Sequence, residues 1–179
     1  MHPNAAELHQ GSTPDYVSKM LASLSARDPI DVMKCTGDAL AEACKRMDET
    51  ALRTPEASGK WSVLDVVQHL ADGELVLGFR YRRILGEPES SPLPPFDPSA
   101  WATRLRYSEV NLGAALDQFN AVRRINLQFL EGLRDADWDV RYTHFDRGKE
   151  TLRDAVRLYA AHDLCHLAQI GRIKQRVIA

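Results

Sequence analysis

The architecture of this chain is indicated most clearly by residues 152–173, which read LRDAVRLYAAHDLCHLAQIGRI. Just before them, Thr151 and Asp154 form a Ser/Thr-x-x-Asp variant of the capping box, which predicts a helix start. Apolar residues then recur at helical spacing towards one side: Ala155, Leu158, Tyr159, Cys165, Ile170 and Ile173. The stretch is therefore predicted to form a long amphipathic helix with one face in the core.

Start signals earlier in the chain predict four further helices, over residues 14–24, 29–47, 63–85 and 109–133. The signals are Thr13-Pro14, Asp28-Pro29, Ser62 with Asp65, and Ser108. Residues 86–98 are dense in proline and are predicted to form a long crossover connection. Almost no strand pattern is present. The predicted fold class is all-α, a four-helix bundle built from the four long helices.

Composition excludes several classes of function. The 179 residues carry a formal net charge of -2, which is unlike the basic surface of a nucleic-acid-binding protein. No apolar run approaches the ~20 residues of a membrane span, and residues 1–15 lack the apolar segment of a signal peptide. Three cysteines, Cys35, Cys44 and Cys165, give no disulfide framework and favour the cytoplasm. Residues 1–12 are predicted to be a flexible lead-in and residues 13–179 a single domain.

Two histidines on the last predicted helix indicate a metal site. His162 and His166 are four residues apart, so they lie on one face, about 6 Å apart along the axis. That face also carries Leu158 and Ile170, so it is predicted to be buried. Two imidazoles in an apolar core each need a polar partner, and a single metal ion can be the partner of both. The alternative is a pair of ordinary core histidines.

His69, on the helix predicted over residues 63–85, is a candidate third ligand. If its helix neighbours the last one, three histidines meet and leave positions open for water or substrate. A histidine at a core boundary is the alternative for His69. The sequence from His162 to His166 also imitates HExxH with aspartate for glutamate. A metalloprotease is not favoured, because the aspartate is shorter and an all-helical bundle offers no edge strand to a peptide.

Two motifs resemble those of the DinB/YfiT-like family. Residues 59–72 (GKWSVLDVVQHLAD) resemble the first family motif, a Trp-Ser/Thr helix start that delivers one metal histidine. Residues 159–170 (YAAHDLCHLAQI) resemble the second, which delivers two more. The segment between them is similar to the YfiT branch in a looser way, through residues 79–82 and the Pro-rich residues 93–97.

The resemblance implies an up-down-down-up four-helix bundle, often dimeric. It also implies a divalent metal, nickel or zinc, with His69, His162 and His166 as ligands. Members were first described as metal-dependent hydrolases, and better understood relatives are bacillithiol S-transferases or mycothiol-dependent isomerases. The resemblance implies no DNA binding.

The sequence departs from the YfiT branch at Gln68, Cys165 and Gln169, where further histidines are expected. Tyr159 and Gln169 share the ligand face and are candidates to support the ligands or contact substrate. Arg80 is a candidate to bind an anionic thiol or substrate, with a surface ion pair as the alternative.

Three carboxylates near the histidines have open roles. Asp65 is a candidate to orient His69 or to act as a general base, with helix capping as the alternative. Asp72 is either a support for the ligands or a solvated charge. Asp163 has the same two possible roles, but it directly follows His162 and is therefore predicted to point away from the metal face, to the surface.

The predicted function is that of a metal-dependent enzyme acting on a small molecule. A thiol S-transferase with a low-molecular-weight thiol as co-substrate is favoured over a hydrolase. The alternatives are a non-catalytic metal- or ligand-binding bundle and a purely structural bundle.

Overall fold

A computed structural model describes residues 14–87 and 92–177. Its helices in chain order are α1 Pro14–Leu24, α2 Pro29–Cys44, α3 Glu49–Arg53, α4 Val63–Gly86, α5 Pro98–Arg104, α6 Leu112–Glu131 and α7 Leu152–Val177. Short 3-10 helices span Tyr107–Glu109 and Asp135–Asp139, and two strands, β1 Arg141–His144 and β2 Gly148–Thr151, form a hairpin. Helices α2, α4, α6 and α7 are the long helices of the predicted bundle. The predicted lead-in and the Thr13 cap lie outside the described residues.

Contacts between α2 and α7 show that these helices run in the same direction. Thr36 donates a hydrogen bond to Asp163 (2.9 Å). Further along both helices, Lys174 donates to the carbonyl of Ala43 (2.7 Å). Both helices therefore advance together.

Helices α4 and α6 also run parallel to each other, because Gln118 contacts Asp72 and, further along both, Phe129 stacks on Tyr81. Helix α4 runs against α7, since His69 faces His166 whereas the later Arg80 faces the earlier Tyr159. Taken in chain order, the four long helices point up, down, down and up. The predicted four-helix bundle is confirmed.

Capping boxes begin two of these helices where the sequence predicts. The backbone N–H of Ser62 donates to Asp65 (2.9 Å) and that of Asp65 donates to the Ser62 hydroxyl (3.2 Å). Thr151 and Asp154 make the same pair of bonds at α7. Each box satisfies backbone donors that a helix start otherwise leaves without partners.

Other boundaries differ from the predictions. Helix α6 begins at Leu112, because Asn111 rather than Ser108 caps it, accepting from the N–H of Ala114 (3.1 Å). Helix α2 ends at Cys44 rather than near Met47, since Arg46 has a left-handed backbone (φ 63°) that ends a helix. The short helices α3 and α5 were not predicted.

The β1–β2 hairpin was also not predicted, and it places His144 in a strand. Almost no strand pattern is present in the sequence, but His144 is the last residue of β1 and is buried. Its strand neighbour Thr143 accepts a hydrogen bond from the N–H of Leu93 (2.9 Å), which ties the Pro-rich connection to the hairpin. Gly148, with φ of 80°, supplies the turn that a residue with a side chain adopts poorly.

The bundle interior has two apolar clusters with polar residues between them. One contains Leu77, Tyr81, Ile84, Leu130 and Leu152, and the other Val63, Val67, Phe119, Ile170 and Ile173. Polar side chains of the four long helices lie between these two clusters. Nine of the buried or half-buried ones are called the polar layer: Thr36, His69, Glu74, Arg123, Asn126, His162, Asp163, His166 and Gln169. In the described part of the chain, no helix is long and apolar enough to cross a bilayer.

Candidate metal centre and adjoining pocket

Three histidines meet inside the bundle, and we call them the histidine cluster: His69, His162 and His166. The Nε2 atom of His162 lies 3.3 Å from Nε2 of His69 and 3.0 Å from Nε2 of His166. His69 and His166 are buried, and His162 is half-buried. Their ligand atoms all lie within 4.8 Å of one another. The helix spacing of four residues and the antiparallel α4–α7 contact together produce this convergence.

The donor set fits a metal ion. Two nitrogens bound to tetrahedral zinc at about 2.0–2.1 Å are about 3.3 Å apart, which is close to the separations in the cluster. A single proton on His162 Nε2 can be directed at only one of its two Nε2 neighbours. A cation at the centre accepts electron pairs from all three rings and removes this conflict.

Gln169 sets the orientation of one of these rings. Its Oε1 atom lies 2.8 Å from Nδ1 of His166, and both side chains are buried. A glutamine oxygen only accepts, so Nδ1 of His166 carries the proton and Nε2 presents its lone pair to the cluster. This is how histidine ligands of metals are usually supported. Gln169, a candidate from the sequence, therefore contacts a member of the cluster directly.

Trp61 packs on the cluster from the side of the α4 start. Its ring centroid is 4.9 Å from that of His69 and 6.4 Å from that of His166, and the residue is buried. The sequence indicated Trp61 only as part of a motif, without a contact to the histidines. Because it covers two of the three rings with apolar surface, it holds them in place and excludes water from that side.

A pocket of about 150 Å³ opens beside the cluster. His69 and His162 line it at one end, and Arg80 and Arg147 line it at the other. The wall between them is largely apolar and includes Val17, Met20, Leu77, Leu158 and Phe96. A cavity of this size suits a small molecule rather than a polymer.

Arg80 and Tyr159 meet in this pocket. Arg80 is only 7% exposed, and it donates one hydrogen bond to the Tyr159 hydroxyl and another to the Pro94 carbonyl (3.0 Å). The surface ion pair considered for Arg80 is thus wrong. Tyr159 in turn places its ring 6.4 Å from that of His162, so it lies between Arg80 and the histidine cluster.

The prediction for Asp163 was wrong. Asp163 is 2% exposed and accepts hydrogen bonds from Thr36 (2.9 Å) and Arg123 (2.7 Å). Arg123 also donates to Glu74 (2.8 Å), which accepts from Asn126 (3.0 Å). We call these five residues the Arg123 network. Asp163 faces α2 and α6 rather than solvent, because Thr36 of α2 and Arg123 of α6 both bond to its carboxylate.

Asp72 and Asp65 have structural contacts of different kinds. Asp72 is buried, so it is not a solvated charge, and it accepts from Tyr107 (2.6 Å), Gln118 (2.8 Å) and Gln68 (3.0 Å). Asp65 is held in the capping box of α4. These hydrogen bonds engage both carboxylates away from the rings of the histidine cluster.

Cys165 lies on α7 but has surroundings that do not activate a thiol. Burial raises the pKa of its thiol, which donates to the Ser23 hydroxyl at 3.8 Å. A raised pKa reduces the thiolate that reacts as a nucleophile. The residue is therefore best described as packing between α1 and α7.

An up-down-down-up bundle with three convergent histidines beside a small pocket defines a class of helical proteins equipped to hold a metal ion. The chain belongs to the DinB superfamily, whose family model matches residues 34–170. The solved structure of YfiT from Bacillus subtilis shares the fold, with a TM-score of 0.76 over 98% of this chain and 93% of that chain at 24% identity.

Two proteins from other bacilli are similar in sequence. One is from Bacillus mycoides (strain KBAB4) and the other from Bacillus cereus (strain B4264), and both are named "putative metal-dependent hydrolase". Each is 28% identical over 138 residues, which cover 77% of this chain and 79% of the relative.

Proposed function

We propose that this chain is a metal-dependent enzyme in which His69, His162 and His166 bind one divalent ion, nickel or zinc. The convergence of three Nε2 atoms, with separations of 3.0 and 3.3 Å from the central one, carries the proposal. When bound, such an ion would lower the pKa of a water or a thiol at its open position. The pocket beside His69 and His162 would hold the substrate.

Within this proposal the protein side chains have separate tasks. Gln169 fixes the tautomer of His166, and Trp61 keeps water from one side of the rings. The apolar wall of the pocket would orient a small organic substrate and exclude bulk water from it.

We favour thiol transfer over hydrolysis as the reaction. Around the cluster, each of the four buried or capping carboxylates in the described residues is already engaged: Asp65, Asp72, Glu74 and Asp163. Attack by water usually needs a carboxylate as general base, as in HExxH enzymes. A thiol, with an ordinary pKa near 8.5, needs less help than water to lose its proton.

The transfer itself is simple to balance. The thiol proton passes to solvent, the sulfur forms a bond to an electrophilic carbon of the second substrate, and the leaving group departs with its bonding electrons. Hydrolysis is the second candidate, supported by the name that the similar Bacillus proteins carry.

The test compares the two reactions in one preparation. The metal-loaded Cys35→Ser protein should be used, because Cys35 is an exposed thiol that would itself consume an electrophile. We expect turnover of 1-chloro-2,4-dinitrobenzene with added cysteine or a cysteinyl sugar thiol, above the uncatalysed rate. The same protein carrying His166→Ala should not exceed that rate.

Two other outcomes would contradict the favoured reaction. Release of nitrophenol from an ester in the absence of thiol, lost in His166→Ala, would establish the hydrolase instead. Bound metal without turnover of either substrate would support the non-catalytic binding protein.

A further inference from the structure

The pocket has a second functional end, away from the histidine cluster. Arg80 lies eleven residues after His69 on α4, which is about three helical turns or 16 Å of rise. Both residues line the same cavity. The Arg80 guanidinium reaches back towards the cluster, since it bonds to the Tyr159 hydroxyl and the Tyr159 ring lies 6.4 Å from that of His162. A short ligand in this cavity therefore contacts both ends.

Arg80 carries a buried charge without a counterion in the described part of the chain. Its two hydrogen bonds, to Tyr159 and to the Pro94 carbonyl, are to neutral oxygens and use two of its five N–H donors. The described residues place no carboxylate within ion-pair distance of it. Burying a cation costs free energy unless a partner compensates it. Arg80 is 7% exposed, lines a cavity and is otherwise faced by the Phe96 ring at 5.9 Å, so it is a candidate to bind an anion.

Neighbouring charges do not cancel that of Arg80. Arg147 is paired with Glu150 through two bonds (2.5 and 2.9 Å), so this pair is neutral overall. His144 is neutral at pH 7, since burial, Arg147 and Arg80 lower its pKa to about 4. Asp146 also lines the pocket but is exposed at the rim, where solvent screens its charge.

The two buried carboxylates that line the pocket are already paired with another arginine. Glu74 and Asp163 are both bound to Arg123. The two carboxylates and the one guanidinium together carry a net charge of −1. This charge lies near the histidine cluster, since Asp163 directly follows His162. The pocket is therefore polarised, with its uncompensated positive charge at the Arg80 end.

We propose that Arg80 binds the carboxylate of a small amphipathic substrate whose apolar body lies against Leu77 and Leu158 and whose reactive carbon faces the histidine cluster. One guanidinium without a counterion matches a single negative charge, and the planar fork of arginine matches a carboxylate in two-point contact. The apolar wall between the two ends leaves room for a short hydrocarbon segment. Only the placement of the reactive carbon at the histidine cluster rests on the proposed function.

The binding test uses hexanoate as the anionic probe and 1-hexanol as its neutral counterpart, measured by calorimetry on the full chain. We expect hexanoate to bind at least about tenfold more tightly than 1-hexanol, as charge-assisted hydrogen bonds require. Equal affinity for the two would overturn the proposal.

Variants assign that difference to Arg80. Arg80→Gln should lower hexanoate affinity about tenfold or more and leave 1-hexanol unchanged, whereas Arg80→Lys should retain part of the preference. Arg82→Gln is the matched control, because Arg82 lies on the same helix but is exposed and contacts Phe129. Thermal unfolding followed by circular dichroism checks that each variant is folded, and unchanged hexanoate affinity in folded Arg80→Gln would overturn the proposal.

Metal removal separates this inference from the proposed function. Hexanoate should bind the chelator-treated protein with affinity within about threefold of the metal-loaded protein, since Arg80 holds the carboxylate. Binding that is lost with the metal and is insensitive to Arg80→Gln would place the carboxylate on the ion and overturn the anion site, while leaving the metal site intact. Absence of metal binding would instead contradict the proposed function and leave the hexanoate result to stand alone.

Discussion

The polar layer contains two clusters built on the same helices, and they differ in the chemistry of their contacts. In the Arg123 network, one guanidinium links Glu74 and Asp163 at 2.7–2.8 Å, and of the network's buried side-chain nitrogens only Arg123 Nε lacks a partner. In the histidine cluster, three nitrogen atoms face one another at distances of 3.0 and 3.3 Å. Salt bridges between helices hold the bundle together, whereas three convergent imidazole nitrogens are a donor set typical of a metal site.

Sequence position alone does not separate these two roles. His162 and Asp163 are adjacent in the chain, yet one faces His69 of α4 while the other faces Arg123 and Thr36. The change of face over one residue is about 100° on a helix. Neighbouring residues in this layer can therefore be altered to test one cluster with limited disturbance of the other.

The largest effect is expected from breaking the Arg123 network. Arg123→Ala leaves Glu74 and Asp163 buried without a counterion, so the free energy of unfolding should fall by about 3–5 kcal/mol. Urea denaturation measures it. Arg124→Ala, at an exposed neighbouring position, is the control and should change stability by less than about 0.5 kcal/mol. A loss below about 1 kcal/mol in Arg123→Ala would show that the network does not hold the bundle together.

A pH-dependent effect of intermediate size is expected from His144, which is buried outside both clusters. Burial, with Arg147 and Arg80, lowers its pKa to about 4, whereas the unfolded chain protonates it near 6.5. The stability contributed by neutral His144 is complete above pH 6.5 and is lost as pH falls towards 4. Over that range the wild type should lose about 2–3 kcal/mol more than His144→Gln in chelator-treated protein. Free energies of unfolding that change equally with pH in the two proteins, from pH 7 to 4, would contradict this expectation.

A smaller effect is expected from removing the support of one histidine. Gln169→Ala frees the ring of His166, so metal affinity should fall about 10–100-fold. Competition with a chromophoric chelator measures the affinity. Gln175→Ala, an exposed glutamine on the same helix, is the matched control and should bind metal like the wild type. Unchanged affinity in Gln169→Ala would mean that its bond to His166 does not position the ring.

The smallest effect is expected at Asp65, which belongs to neither cluster. Asp65→Ala removes half of the capping box of α4, so stability should fall by about 1 kcal/mol. Metal content and turnover should stay at the wild-type level. Asp154→Ala, the equivalent change at α7, should cost a similar amount. Loss of turnover in Asp65→Ala without loss of stability would restore the catalytic role that the sequence left open.

Much of the fold and of the histidine cluster could be predicted because the signals are local. Capping boxes act over three residues, as at Ser62 and Asp65, and a histidine pair that meets on one helix face needs a spacing of three or four, as at His162 and His166. The third histidine is 93 residues before His162, and its placement came from the family resemblance rather than from periodicity.

The misses involve partners that are distant in the chain or signals that are weak. Asp163 is 40 residues from Arg123, so no local pattern indicated that it is buried. The four-residue strands that bring His144 and Arg147 to the pocket are short and largely polar, and their burial comes from packing on the bundle. The cap of α6 was assigned to Ser108, because Ser108 and Asn111 are equally acceptable capping residues and only the backbone distinguishes them.

Metal content is the most direct test of metal binding by the histidine cluster. The wild type, His69→Ala, His166→Ala and the control His144→Ala should be purified without a histidine tag, reconstituted with nickel or zinc, and measured by inductively coupled plasma mass spectrometry. We expect about one ion per chain in the wild type and His144→Ala, and a near-complete loss in the other two. No ion in the wild type, or an ion retained by both His69→Ala and His166→Ala, would contradict it.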